Sequence, residues 1–144
     1  MNKVTILLVE DSPDDVELAM RALRKQNLLN DVIHAEDGVE ALDFMYGRGR
    51  FQGRDLTEQP KLILLDLKLP RLDGLEVLAT LKADEHLRHI PIVMLTSSRE
   101  DPDIKQAYKL GANSYIVKPV DFEQFIAAVS DVGYYWMLIN QPAK

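Results

Sequence analysis

Residues 62–70 read Leu62-Ile63-Leu64-Leu65-Asp66-Leu67-Lys68-Leu69-Pro70. Four consecutive apolar residues lead into one aspartate, and a proline follows four positions later. A short apolar run that ends in a turn signal predicts a β-strand buried on both faces, as in a parallel sheet. Asp66 would then lie at the carboxyl end of this strand, which is where open α/β sheets bind their ligands.

Length and composition limit the class of protein. The chain has 144 residues, of which 47% are hydrophobic and 28% charged, so we expect one domain with a substantial core. It contains no cysteine, which excludes disulfides, thiolate metal sites and cysteine nucleophiles. No apolar run reaches the roughly 18 residues of a membrane span, and the N-terminus lacks a signal-peptide layout, so we expect a cytoplasmic protein. The net charge of −6 argues against an extended nucleic-acid surface.

Apolar runs alternate with amphipathic segments along the chain. The runs predict five strands, at residues 4–9, 31–35, 62–66, 90–95 and 114–117. Each run is followed by a segment with helical spacing, and strands that alternate with helices imply a parallel sheet with right-handed crossovers. We therefore predict a three-layer α/β domain built from five βα units.

The boundaries of the predicted helices carry capping signals. Ser12 is expected to cap the first helix and Asp37 the second. Asp121, with Gln124 three residues later, has the capping-box pattern at the start of the fifth helix. Gly111 is the expected C-terminal stop of the fourth helix.

Polar residues occur where the predicted strands end. Glu10 and Asp11 follow the first strand, Asp66 ends the third, and Thr96 and Lys118 follow the fourth and fifth. Because the carboxyl ends of parallel strands point to one edge of the sheet, we expect three carboxylates, a hydroxyl and an ammonium in one cleft. Each of these residues alone is more commonly a cap, a turn residue or a surface residue, so the hypothesis depends on the joint pattern.

The residue types in this predicted cleft favour phosphoryl chemistry. Three clustered carboxylates repel one another unless they take up protons or bind a cation. Since all the ligands are oxygens, a hard divalent ion such as Mg²⁺ is the expected cofactor. Lys118 can pair with one phosphoryl oxygen, and Thr96 can donate a hydrogen bond to another. Asp66 is then the candidate nucleophile, because a carboxylate can accept a phosphoryl group as an aspartyl phosphate.

Four motifs carry a resemblance to a known family. They are Leu7-Leu8-Val9-Glu10-Asp11-Ser12, Leu64-Leu65-Asp66-Leu67-Lys68-Leu69-Pro70 with Asp73-Gly74, Met94-Leu95-Thr96-Ser97, and Tyr115-Ile116-Val117-Lys118-Pro119. From residue 4 to about residue 132 the chain resembles the receiver domain of two-component response regulators. The resemblance implies a flavodoxin-like (βα)5 fold with strand order 2-1-3-4-5. It also implies a phosphoacceptor that catalyses its own phosphorylation and dephosphorylation, and not a turnover enzyme on a separate substrate.

The resemblance implies a role for each residue of the metal and acceptor site. Asp66 would accept the phosphoryl group from a sensor histidine kinase or a histidine phosphotransfer protein, and would also be a metal ligand. Asp11 would bind Mg²⁺ directly, Glu10 would assist through water, and the backbone carbonyl of Lys68 would be a further ligand. Side chains at Lys68 and Ser98 would tune dephosphorylation, and Lys68 either shields the phosphoryl group or extends into solvent.

A second set of implied roles concerns switching. Thr96 and Lys118 would contact the phosphoryl group, and the Lys118–Pro119 peptide bond would be cis. On phosphorylation Thr96 would move toward the phosphoryl group, and Tyr115 would turn inward behind it. These two movements would remodel the face between the fourth strand and the fifth helix, the β4–α5 face.

The remaining segments surround the predicted receiver, residues 1–132. Residues 47–60 are a long basic connection, which is either a tolerated surface insertion or a functional loop. Residues 133–144 are an apolar and aromatic extension, and no separate output domain is expected after them. The connection and the extension resemble the small single-domain regulators that pair with phytochrome-type histidine kinases. That resemblance implies a homodimer, through the β4–α5 face or through the extension.

Three alternatives remain open at this point. A hydrolase of the haloacid-dehalogenase type also uses a strand-end aspartate and Mg²⁺, but it has a second acid where this chain has Lys68. A flavodoxin-like cofactor binder needs a phosphate-cradling loop after the first strand, where Glu10 and Asp11 would repel a phosphate. A pseudo-receiver would act only as an interaction module, and the intact acceptor, acids, threonine and lysine argue against it.

Overall fold

The computed structural model describes residues 4–25 and 30–131, and the predicted extension at 133–144 lies outside these ranges. Five parallel strands form one sheet in the order β2-β1-β3-β4-β5, which confirms the predicted topology. The strands are β1 (Val4–Val9), β2 (Asn30–Ala35), β3 (Leu62–Asp66), β4 (Ile92–Thr96) and β5 (Ser114–Val117). The helices are α1 (Pro13–Lys25), α2 (Gly38–Tyr46), α3 (Gly74–Ala83), α4 (Asp103–Leu110) and α5 (Phe122–Asp131).

Burial of β3 on both faces confirms the first expectation from the sequence. Leu62, Ile63, Leu64 and Leu65 are each no more than 1% exposed. Alternate residues of the central strands point to opposite faces, so that Leu62 and Leu64 pack in one hydrophobic cluster and Ile63 and Leu65 in another. The sheet is therefore the middle layer of three, and Asp66 continues a strand that has no exposed face.

The predicted start of β4 was wrong by two residues. The backbone N–H of Ile90 donates to the carbonyl of Leu87, and its own carbonyl accepts a hydrogen bond from Nζ of Lys82 at 2.9 Å. Ile90 is thus used by the turn after α3, and the strand begins at Ile92. At the other end β4 includes Thr96, which was expected to follow it.

The predicted capping residues lie where the sequence indicated. Asp37 accepts a hydrogen bond from the backbone N–H of Glu40 at 2.8 Å. The backbone N–H of Gln124 donates to Oδ1 of Asp121 at 2.8 Å. Gly111 ends α4 in the left-handed region, with φ of 110°. These caps set where each helix starts or stops, and hence the length of the loops that reach the carboxyl edge of the sheet.

Arg54 makes several of the contacts that hold the connection 47–60 against the domain. Nε of Arg54 donates to the carbonyl of Phe44 at 2.8 Å, and its terminal nitrogens donate to Glu58 O at 2.8 Å and to Gln59 Oε1 at 2.6 Å. The guanidinium also lies 3.9 Å from the centroid of the Phe44 ring. A short 3₁₀ helix, Gly49–Phe51, occupies the first part of the connection.

Candidate functional site

The carboxyl edge of the sheet brings together the residues that follow or end β1, β3 and β5. Glu10, Asp11 and Asp66 each offer a carboxylate oxygen, and these three atoms lie within 4.8 Å of one another. Glu10 and Asp66 are 1% and 2% exposed, whereas Asp11 is exposed to solvent. The predicted acidic cluster is therefore formed, with one carboxylate at the surface and two below it.

Lys118 lies at the centre of this cluster. Its Nζ atom is 2.9 Å from Oδ2 of Asp66 and 3.1 Å from Oε1 of Glu10. It also lies 3.3 Å from Oδ2 of Asp15, in the first turn of α1. The Lys118–Pro119 peptide bond is cis, as expected. Sequence reasoning did not include Asp15, although an acid in the first turn of the helix that follows β1 was a signal for it.

Burial, together with the hydrogen bonds and charges of the cluster, shifts the pKa values of two of its members. Burial raises the pKa of the Glu10 carboxyl to about 7; the backbone N–H of Ser12 opposes this, and the hydrogen bond and charge of Asp66 add to it. Burial alone would lower the pKa of Lys118, but hydrogen bonding and charge from Asp66 and Glu10 hold it above its ordinary value. Among the residues that the structure describes, Lys118 is the ammonium that contacts these carboxylates, and it offsets only part of their negative charge.

This donor set fits a hard divalent cation. Three carboxylates offer oxygen ligands, and the two buried ones repel each other at neutral pH unless a cation or a proton compensates. The backbone N–H of Lys68 donates to Oδ1 of Asp66 at 3.1 Å, which fixes the loop after β3 against the Asp66 carboxylate. An acidic cluster of this kind suits Mg²⁺ or a similar hard divalent cation.

The hydroxyl of Thr96 is directed along the β4–α4 connection. Oγ1 of Thr96 donates to the carbonyl of Ser98 at 3.0 Å, and it lies 3.5 Å from Oδ2 of Asp101. The backbone N–H of Ser98 returns a hydrogen bond to Oγ1 at 3.3 Å. Thr96 is buried, and its carbonyl accepts a hydrogen bond from the backbone N–H of Lys118 at 2.7 Å, whereas its hydroxyl bonds within its own loop.

Tyr115 lies in the middle of β5 and is half-buried. Its ring packs edge-to-face against that of Tyr108 on α4, with centroids 6.4 Å apart and planes at 80°. Tyr108 is 46% exposed, so this aromatic pair lies at the surface between α4 and β5. Sequence reasoning named Tyr115 but not its partner on α4.

The loop between β3 and α3 is fixed by a close backbone contact. A Cβ atom added to Gly74 would lie 2.1 Å from the carbonyl oxygen of Asp66 and 2.9 Å from Cα of Leu67. The backbone N–H of Gly74 donates to the carbonyl of Leu67 at 3.3 Å. Only glycine allows the first residue of α3 to approach the backbone of Asp66 this closely.

The same loop is attached to the start of α2. Arg71, which has a positive φ of 64°, donates from Nε to Oδ2 of Asp37 at 2.8 Å and from a terminal nitrogen to Oδ1 at 3.2 Å. A Cβ atom on Gly38 would lie 2.0 Å from the carbonyl oxygen of Leu72. These contacts hold the loop after Asp66 in place, and sequence reasoning did not find them.

Fold, acidic cluster and lysine together define a phosphoacceptor signalling module. The sequence profile of the response regulator receiver domain matches residues 6–130. The chain belongs to this family. The membership favours the receiver over the hydrolase and the cofactor binder that the sequence left open.

Several of the solved structures that resemble this chain are phytochrome response regulators. The bacteriophytochrome response regulator AtBRR is 52% identical, covers 98% of this chain and 100% of its own, and superposes with a TM-score of 0.88. The phosphorylated cyanobacterial phytochrome response regulator RcpA is 36% identical, with a TM-score of 0.77 and coverage of 94% and 95%. Response regulator Rcp1 of Synechocystis is 36% identical over 92% of this chain and 88% of its own. A crystal structure of Rcp1 in its Mn²⁺-bound form superposes with a TM-score of 0.76.

Among the helices of residues 4–25 and 30–131, none combines the length and the apolar character that crossing a bilayer requires.

Proposed function

We propose that this protein is a response regulator that accepts a phosphoryl group on Asp66 in a reaction that depends on Mg²⁺. The observation that supports the proposal most strongly is the buried contact of Lys118 with both Asp66 and Glu10. An ammonium beside a strand-end carboxylate neutralises an incoming phosphoryl oxygen, and the acids beside it provide a metal site. The phosphorylated form of the similar regulator RcpA adds support from a relative.

In the proposed transfer, an oxygen of Asp66 attacks phosphorus and forms a new O–P bond. The N–P bond of a phosphohistidine donor breaks, and its imidazole keeps the electron pair and takes up a proton. The carboxylates of Asp11 and Asp66 and the carbonyl of Lys68 would hold Mg²⁺ directly, and Glu10 would assist through water. At this position the ion would supply positive charge beside the phosphoryl oxygens. Lys118 holds one of these oxygens. Hydrolysis later transfers the group to water and restores the carboxylate.

The proposed switch begins at Thr96. Its hydroxyl would exchange the carbonyl of Ser98 for a phosphoryl oxygen, because a charged acceptor forms the stronger hydrogen bond. That movement leaves space behind β4, into which Tyr115 would turn and leave Tyr108. The β4–α5 face would change shape as a result, so that a local charge alters a binding surface.

We propose a sensor histidine kinase of the phytochrome type as the phosphoryl donor, with a histidine phosphotransfer protein as the alternative. The similarity to AtBRR and RcpA, which are described as phytochrome response regulators, supports the choice.

For the domain organisation we propose a receiver over residues 1–132, with 47–60 as an insertion and 133–144 as a dimer interface. Light-scattering mass of the full chain against one ending at Asp131 tests the interface. A dimer in the first and a monomer in the second is expected, and monomers in both would refute it.

Intact mass spectrometry after incubation with acetyl phosphate tests the acceptor. We expect one phosphoryl adduct in the presence of Mg²⁺, and none in EDTA or in the Asp66→Asn variant. An unmodified wild type, with folding confirmed by circular dichroism, would contradict the proposal and support a pseudo-receiver that acts only through binding.

A further inference from the structure

The side chain of Lys68 joins the phosphoacceptor loop to the first turn of α4. Its Nζ atom pairs with Oδ2 of Asp103, a residue 35 positions further along the chain. Its backbone N–H meanwhile donates to Oδ1 of Asp66. One residue therefore contacts the acceptor through its backbone and α4 through its side chain.

Asp103 is also connected to the switch threonine. The backbone N–H of Asp103 donates to Oδ1 of Asp101 at 2.9 Å, and the other oxygen of Asp101 lies 3.5 Å from Oγ1 of Thr96. The hydrogen bond with Asp103 raises the pKa of Lys68, and the charges of Asp103, Asp101 and Asp73 add to the effect. The start of α4 is thus an acidic surface that attracts Lys68 while Asp66 carries no phosphoryl group.

A phosphoryl group on Asp66 would compete for Lys68. The group carries a charge of about −2 and three strong acceptor oxygens. Asp66, to which it would be attached, lies two positions before Lys68 in the chain. The lysine side chain is 65% exposed and that of Asp103 is 32% exposed. An exposed ion pair contributes little to stability, and an ammonium on a flexible stem can exchange partners.

We infer that Asp103 is a positioning residue that holds Lys68 away from the acceptor in the unphosphorylated protein and releases it to the phosphoryl group. The inference rests on the proposed phosphorylation of Asp66. Its first consequence is kinetic: Lys68 shields the phosphoryl group from water only to the extent that Asp103 gives it up. Its second consequence is structural: when Lys68 leaves, the first turn of α4 loses its link to the β3–α3 loop. Phosphorylation would then loosen α4 through Lys68 as well as through the movements of Thr96 and Tyr115.

A double-mutant cycle on dephosphorylation tests the kinetic consequence. The full-length protein, Asp103→Asn, Lys68→Met and the double variant are phosphorylated with acetyl phosphate, and loss of the adduct is followed by intact mass. Asp103→Asn should slow this loss by about two- to fivefold, the range that one exposed ion pair spans, and should have no effect in the Lys68→Met background. Asp103→Glu should restore the wild-type rate. Glu100→Gln, which removes a charge from the same connection, is the matched control.

Amide hydrogen exchange in the unphosphorylated protein tests the structural consequence. Peptides that cover residues 101–110 should exchange faster in Asp103→Asn and in Lys68→Met than in wild type or Glu100→Gln. The inference is overturned if Asp103→Asn changes the dephosphorylation rate equally in both backgrounds, leaves it unchanged or accelerates it. It is equally overturned if exchange in α4 is unaffected by both variants. A wild-type protein that takes up no phosphoryl group would refute the proposed function itself. Amide hydrogen exchange would still test whether the Lys68–Asp103 ion pair stabilises the first turn of α4.

Discussion

Nζ of Lys118 lies 2.9 Å from Oδ2 of Asp66, although the two residues end or follow different strands and are 52 positions apart. The parallel order β3-β4-β5 brings both to the same edge of the sheet. Because Glu10 and Asp15 also contact this ammonium, one cation serves three carboxylates. Removal of the Lys118 ammonium should therefore lower stability, whereas removal of one carboxylate should raise it.

Lys118→Met should destabilise the protein when no metal is present. The side chain is 17% exposed, so its loss leaves two buried carboxylates without their partner. We expect the free energy of unfolding in EDTA to fall by about 1–3 kcal/mol, the cost of leaving a buried acceptor unsatisfied. Millimolar Mg²⁺ should recover part of this loss, since it replaces the missing positive charge. Urea unfolding with and without Mg²⁺ measures both effects. Lys105→Met, an exposed lysine on α4, should change stability by no more than about 0.5 kcal/mol. An equal loss in both variants would contradict the account.

The raised pKa of Glu10 predicts how stability depends on pH in the absence of metal. In the unfolded chain the Glu10 carboxyl loses its proton at about pH 4.3, whereas in the folded protein it keeps the proton up to about pH 7. The stabilising contribution of the protonated carboxyl is therefore complete below about pH 4.3 and is lost as the pH rises through 7, at a cost of about 1–3 kcal/mol. Urea unfolding in EDTA at pH 5 and pH 8 measures the loss.

Glu10→Gln is the matched variant for this pH dependence. Glutamine has nearly the shape of glutamate and does not titrate. The stability of the variant should therefore fall less between pH 5 and pH 8 than that of wild type. The difference between the two proteins isolates Glu10 from the other titrating groups. Parallel pH profiles would show that Glu10 titrates normally.

Gly74→Ala should weaken the whole site without removing any of its polar groups. The added Cβ would collide with the backbone of Asp66 and Leu67, which cannot move as a flexible side chain does. We expect a loss of about 2–4 kcal/mol in the free energy of unfolding and weaker Mg²⁺ binding by titration calorimetry. Gly53→Ala is the control: Gly53 has a positive φ of 88° but nothing within 4 Å of an added Cβ. That variant should lose only about 1 kcal/mol and bind Mg²⁺ as wild type does.

Arg54→Lys should weaken the packing of the connection 47–60 against the domain. Lysine keeps the charge but has neither the planar fork that reaches Phe44, Glu58 and Gln59 nor the stack on the Phe44 ring. We expect a loss of about 1–2 kcal/mol in stability and faster amide exchange in residues 52–60. Arg48→Lys, at a side chain that is 60% exposed, should leave both unchanged. Unaltered exchange in Arg54→Lys would show that other contacts hold the connection.

Local sequence patterns were sufficient to predict the sheet and the edge at which the site forms. The apolar run at 62–65 predicted a doubly buried strand because only the middle layer of a three-layer fold buries both faces of a strand. Strand ends then placed Glu10, Asp66 and Lys118 together, since parallel strands share one carboxyl edge. The predicted start of β4 failed because Lys82, a residue from another element, takes the carbonyl of Ile90.

Contacts between side chains of distant loops could not be predicted. The pairs Lys68–Asp103 and Arg71–Asp37 join residues 35 and 34 positions apart, and no spacing rule connects them. Gly38 is a similar case, because its requirement comes from the carbonyl of Leu72, which only the folded chain brings near. These contacts determine how firmly the loop after Asp66 is held, so the sequence predicts which residues form the site better than it predicts what positions them.

Reductive trapping of the phosphorylated protein tests the central claim most directly. Borohydride converts an aspartyl phosphate to homoserine, and peptide mass spectrometry then identifies the modified position. After acetyl phosphate and Mg²⁺, we predict homoserine at position 66 and at no other aspartate, Asp11 and Asp15 included. Homoserine at a different aspartate, or an adduct on wild type that borohydride does not reduce, would contradict the assignment of Asp66 as the phosphoacceptor.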